Sequence, residues 1–172
     1  MALSEIKMEN EKYLNDCEAL LSRFASLMLS TVNSKGEPLA SFAPFVEKEG
    51  VFYIFVSLLA DHTVNMLDNP MASVMLIANE QESKNIFARE RAVVQVGIEE
   101  VDVQSALANT VFELMEQSHG KTVKMLRTLS DFKLLQLTPT KARYVVGFGK
   151  AFEWDVQKKT MTHISSDTLN KK

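Results

Sequence analysis

Two arginines one residue apart, Arg89 and Arg91 around Glu90, carry the plainest chemical signal in the sequence. In an extended segment they project to one face, where a pair of guanidinium forks can hold a carboxylate or phosphate pair. A solvated strand entry produces the same pattern. Histidine is scarce, with three in the chain. His62, with Thr63, falls at the start of a short helix after the most apolar run, either in a loop position of the kind that often carries function or as an ordinary surface or packing histidine. His119 ends a helix beside Gly120, where an imidazolium suits the helix dipole. His163 lies near the C-terminus, either as a solvated residue or as a metal ligand reaching into a neighbouring subunit. Asp131 precedes an apolar strand and either closes a turn or accepts a hydrogen bond that orients an imidazole. Gly147 and Gly149, spaced by two, would leave one face of a strand bare. That suits either a bend or the close approach of a flat ligand.

Familiar catalytic motifs are absent. Gly147-x-Gly149 lacks a third glycine and a following helix, so it is no dinucleotide fingerprint, and neither a P-loop nor an HExxH occurs. The single cysteine, Cys17, excludes an internal disulfide and fits a reducing compartment. A net charge of −3 argues against nucleic acid as partner. No run of about 18 apolar residues marks a membrane span, and the charged N-terminal segment contains no signal-type apolar stretch. The expected location is the cytoplasm.

The elements that must position these residues follow from periodicity. Tyr13, Leu14, Cys17, Leu20, Leu21 and Phe24 define one face of a helix over Ser4 to Phe24. Strands are predicted over 25–32, 39–46 and 51–56, with turns at Gly36 and Gly50. The last of these, Val51 to Val56, is apolar throughout and needs cover on both faces, and another subunit is a candidate for one of them. Asp61 is a plausible cap for a helix over 62–67. Strands over 71–78 and 91–101 precede a long helix over 102–119, its buried stripe running from Val103 to Met115. Two final strands, 132–137 and 142–152, are expected to be joined by Thr138-Pro139-Thr140. The count gives an α+β fold, a six- to seven-stranded antiparallel split β-barrel with flanking helices. The organisation expected is a barrel domain with its N-terminal helix over 1–154 and a polar tail over 155–172.

Several short segments, in order along the chain, resemble a known superfamily. Ala40-Ser41-Phe42-Ala43-Pro44-Phe45-Val46 is similar to the second strand of pyridoxamine 5′-phosphate oxidase-like, FMN-binding split barrels. Ala60-Asp61-His62-Thr63-Val64-Asn65, Phe87-Ala88-Arg89-Glu90-Arg91, Asp131-Phe132 and Arg143 to Phe152 resemble the haem-utilisation branch, the HugZ/HutZ-like proteins. That resemblance implies a cytoplasmic homodimer holding a planar group at its interface, with haem bound and oxidatively cleaved to release iron. On it, Arg89 and Arg91 would meet haem propionates, Gly147 and Gly149 would admit the macrocycle, and Asp131 would poise an axial histidine.

One departure from the pattern matters. An ungapped match puts Thr168 where haem-binding relatives carry a tail histidine, while His163 aligns earlier. Threonine is a poor donor to haem iron, so either His163 takes the metal-ligand place through a shifted tail, or haem binds weakly, or the chain does something else. The alternative implied by the wider superfamily is an FMN-dependent oxidoreductase, with His62 and Thr63 at the phosphate. Against it, Ser57 to His62 contains no lysine or arginine and one acid. A non-catalytic carrier dimer is the third reading.

Overall fold

The computed structural model describes residues 3–164. Helix α1 (Leu3–Ser22) leads into strands β1 (Ser26–Val32), β2 (Pro38–Lys48) and β3 (Val51–Ser57). Helix α2 (Asp61–Asp68) and strand β4 (Met71–Ile77) follow, then a 3₁₀ turn at Ile86–Ala88 and strand β5 (Arg91–Val101). Helices α3 (Ala106–His119) and α4 (Thr122–Leu126) precede β6 (Phe132–Gly147), β7 (Lys150–Asp155) and β8 (Thr160–His163).

The strand order is β3-β2-β1-β4-β5-β6-β7-β8, and an additional β3–β6 pairing closes the first six strands into an antiparallel barrel. Closure runs from Phe52 opposite Leu137 to Ser57 opposite Phe132. The fold is α+β, with the expected barrel and two strands beyond it. Closing the ring leaves no exposed edge among its six strands.

Local chemistry explains the turns. Glu49 and Gly50 both have positive φ (55° and 81°), the condition for a tight hairpin whose twist matches its strands. In β1, Leu27, Leu29 and Thr31 are buried in strict alternation, the period of a strand with one covered face.

The described chain divides into two compact units. In the unit formed by residues 25–74 and 95–140, β3 is covered by α3 and α4. Tyr53 and Leu134 are buried with Val111, Phe112, Met115 and Val123, while Phe55 packs against the same cluster. Phe52, Ile54 and Val56 are buried on the opposite face. The second cover over this apolar strand therefore comes from its own chain, not from another subunit. In the other unit, whose described residues are 3–24, 75–94 and 141–164, Tyr13, Cys17 and Leu20 of α1 are buried. Tyr13 packs against Phe152 of β7 in a tilted pair, 4.3 Å between ring centroids.

Three sequence expectations change. The long helix begins at Ala106, not Asp102, because the Ser105 side chain accepts the Ala108 N–H at 3.1 Å and so caps it. Asp102 instead accepts the Gln104 N–H within its own turn, and Val103 is exposed, outside the buried stripe. The strand expected over 132–137 and the first part of that expected over 142–152 are one sixteen-residue strand, β6, continuous through Pro139 and ending at Gly147, while residues 150–152 belong to β7. Extended backbone accommodates a proline wherever the ladder needs no N–H at that position. Residues 160–163, expected in a polar tail, form β8 against β7.

Candidate functional site

The arginine pair sits where the 3₁₀ turn hands over to β5. The Asn85 side chain accepts the Phe87 N–H at 3.0 Å and so caps that turn. Arg89 lies just before the strand, with Nε donating to the Ala78 carbonyl at 2.6 Å and Nη1 reaching Glu80 at 3.2 Å. Arg91 Nη1 donates to the Arg89 carbonyl at 2.8 Å, which holds the second guanidinium beside the first residue. The pair is thus kept together by backbone carbonyls rather than by strand alternation. Most of the donor fork of each side chain is left over from these bonds. Ile86 and Phe87, which lead into the pair, are exposed at 51% and 81%. Two apolar side chains beside two guanidinium groups suit a ligand with an apolar body and acidic arms.

Glu90, between the two arginines, is turned into the same unit. Its carboxylate accepts from the buried Tyr144 hydroxyl at 2.6 Å and from Arg23 Nη2 at 2.7 Å. Burial first, and the bond to Glu90 second, push the Tyr144 phenol far above its ordinary range, so it is a proton donor at any working pH. Burial likewise raises the Cys17 thiol to about 12, with Glu90 and Glu18 adding to it. That thiol is not a nucleophile.

Of the two readings of the glycine pair, a bend or a bare strand face, the backbone gives the bend. Gly147 pairs with Lys150, so Phe148 and Gly149 form the loop of the β6–β7 hairpin and no bare strand face exists there. Gly149 has φ of +66°, a conformation that strains residues with a side chain; a Cβ on Gly147 would meet Lys150 Cδ at an ordinary 3.8 Å. Phe148 stands exposed at the hairpin tip. His163 ends β8, and its Nε2 lies 2.7 Å from the Gly149 carbonyl. A carbonyl only accepts, so Nε2 carries the proton and the lone pair of the neutral ring falls on Nδ1. The His163 ring also meets Phe152 edge-on at 5.2 Å.

Asp131, His62 and Thr63 belong to the other unit. The Ser57 hydroxyl at the end of β3 donates to Asp131 Oδ2 at 2.5 Å and accepts the Leu59 N–H at 3.0 Å. The Leu58 N–H donates to the Asp131 carbonyl at 2.8 Å. Asp131 therefore closes the junction of β3 and β6, with its second carboxylate oxygen left over. His62 Nδ1 lies 3.0 Å from Ser41 Oγ. Burial holds the His62 imidazole below its ordinary pKa, against a smaller opposing pull from Asp61. Its Nε2 and the Thr63 hydroxyl are buried without hydrogen-bond partners. Asp61 does not cap α2: the N-cap is Ala60, and Asp61 lies in the first turn. His119 Nε2 donates to the Phe45 carbonyl at 3.0 Å, a structural role.

Hydrogen bonds join Arg91 to Arg89, His163 to Gly149 and Asp131 to Ser57, while His62 and Thr63 are neighbours in α2. Ser57, Tyr144 and Arg23 were not singled out by sequence. Their partners lie 74, 54 and 67 positions away, and nothing local signals them. Thr168 lies outside the described residues. Among the described residues no cluster of three or more His, Cys, Asp or Glu side chains could hold a metal ion.

Comparison with known proteins adds the following. Residues 15–146 match the family model described as pyridoxamine 5′-phosphate oxidase. The heme oxygenase HutZ of Vibrio cholerae is 35% identical over 128 residues, 74% of this chain and 73% of that protein. A crystal structure of HutZ described as a heme storage protein superposes with a TM-score of 0.73 at 30% identity, covering 78% of this chain and 96% of that one. Campylobacter jejuni ChuZ superposes with a TM-score of 0.79 at 25% identity, covering 97% of this chain and 65% of that one.

Proposed function

The chain belongs to the pyridoxamine 5′-phosphate oxidase family, and on that premise we propose that it binds haem in the cytoplasm, as a homodimer, and degrades it oxidatively to release iron. The arginine pair beside exposed Ile86 and Phe87 carries this reading. A porphyrin has an apolar body and two propionates, the two chemistries which that segment offers. The relationship to a protein named as a heme oxygenase supports the same ligand class.

The residues fit the substrate in stated roles. Arg89 and Arg91 bind the propionates. Asp131, with one oxygen fixed by Ser57, has the other available to accept an imidazole N–H, though not that of His163, whose one N–H is spent on the Gly149 carbonyl. The iron-donor role we assign to His163, through the Nδ1 that its tautomer leaves unprotonated. Gly147 and Gly149 shape the hairpin that presents the Gly149 carbonyl to His163, and do not themselves form a wall. Met28 and Phe42, directly opposed in β1 and β2 and both exposed, supply apolar surface for a second copy.

A flavin reading has its own observation. The buried, unpartnered Thr63 hydroxyl and His62 Nε2 stand in the first turn of α2, where backbone N–H groups favour anions. Asp61 in that same turn opposes an FMN phosphate, and no lysine or arginine lies in 57–62. Haem is therefore the better fit on charge.

The test of degradation is aerobic incubation of the haemin complex with ascorbate and a ferrous chelator. The expected result is loss of the Soret band with iron recovered in the chelate. A Soret band that persists, with no iron released, would replace degradation by storage or carriage.

A further inference from the structure

We infer that Glu90, held by Tyr144 and Arg23, is a positioning residue of the arginine pair rather than a charge that competes with its ligand. This rests on the reading of Arg89 and Arg91 as a carboxylate site and adds a residue to it. An acid between two arginines would ordinarily weaken anion binding, because it cancels part of their field. The structure disposes of that charge in another direction. One Glu90 carboxylate oxygen accepts the Tyr144 hydroxyl at 2.6 Å, and the other accepts Arg23 Nη2 at 2.7 Å. Tyr144 is fully buried, so its end of the bond is fixed by packing.

The Glu90 backbone is pinned as well. Its carbonyl accepts the Ala78 N–H at 2.9 Å, while the Ala78 carbonyl accepts Arg89 Nε at 2.6 Å. The Arg89 carbonyl in turn accepts Arg91 Nη1 at 2.8 Å. Glu90 thus anchors, by side chain and backbone, the three-residue segment on which both guanidinium groups depend. Arg23 satisfies the acid without drawing on either guanidinium of the pair, and Glu80 takes only one edge of Arg89.

Charge and position make opposite predictions for one substitution. If Glu90 acts by its charge, Glu90→Ala removes a negative group and tightens binding of a dianion. If it positions the pair, Glu90→Ala weakens binding although the site becomes more positive. The probes are metal-free protoporphyrin IX and its dimethyl ester, titrated by fluorescence into the full chain. Neither depends on iron ligation, so loss of the haem reading through a missing axial donor is distinguishable from loss of this one.

The expected result is that Glu90→Ala weakens protoporphyrin IX binding about tenfold, the scale of one charge-assisted hydrogen bond, with ester binding unchanged. Glu90→Gln, which can still accept from Tyr144, should retain most of the preference for the free acid. Should Glu90→Ala fail to fold, Tyr144→Phe is expected to reduce the same preference. Unchanged or tighter binding of the free acid in Glu90→Ala overturns the inference. So does an unaltered protein that shows no preference for the free acid over the ester.

Discussion

Replacing Arg89 and Arg91 together with alanine is expected to weaken haemin binding about a hundredfold, roughly tenfold for each charge-assisted hydrogen bond removed. The two changes are not equivalent. The Arg91 guanidinium donates to the Arg89 carbonyl, a neighbour in its own segment, so Arg91→Ala should lower affinity with little loss of fold stability. Arg89→Ala also strips the Ala78 carbonyl of its guanidinium partner, so it should lower stability as well. Haemin dimethyl ester separates the effects, since its capped propionates cannot form charged pairs. The expected outcome is a loss with haemin that is nearly absent with the ester. An equal loss with both would mean that the pair supports the backbone and does not read carboxylates.

Phe112→Ala should be the most damaging single core change in the barrel unit, costing about 3–5 kcal/mol. The ring is buried, meets Phe55 edge-on at 5.0 Å, and lies 4.2 Å from the Arg127 guanidinium. Truncation leaves a cavity under α3, and it removes an aromatic pair and a cation–π interaction together. Thermal unfolding should shift down by about 10 °C on the usual scale for a chain of this size. Phe87→Ala, at a side chain 81% exposed, is the control and should leave the midpoint unchanged. A Phe112→Ala midpoint close to that of the unaltered protein would show that α3 does not provide the cover over β3.

Much of the fold was legible in residue patterns. The turns at Gly36 and Gly50 and the alternation of 91–101 required only local chemistry, and they fell where expected. Pro139 misled, because a proline reads as a break although an extended strand can carry one. The helix expected over 102–119 starts later, because Ser105 closes on the Ala108 N–H while Asp102 accepts the Gln104 N–H within its own turn. Gly147-Phe148-Gly149 was the least decipherable. Two glycines in an apolar run fit a bare strand face as well as a hairpin, and only the pairing of Gly147 with Lys150 distinguishes them.

The candidate site divides along the same line. Arg89 and Arg91 were visible as a pair because they are neighbours in sequence. What fixes them was not visible, since Tyr144 and Arg23 reach Glu90 from elements distant in the chain. Asp131 could be named as an acceptor, but its partner Ser57 merely ends an apolar strand and has no motif of its own. Periodicity reports which face is buried; it does not report which buried hydroxyl meets which carboxylate.

The proposal of a haem protein is tested most directly by titrating the purified protein in parallel with haemin and with FMN while recording absorption spectra. The proposal predicts a saturable Soret shift with haemin, complete at one equivalent per protomer, and no retained flavin after gel filtration. Protein that stays yellow with stoichiometric FMN and gives no saturable Soret shift would contradict it.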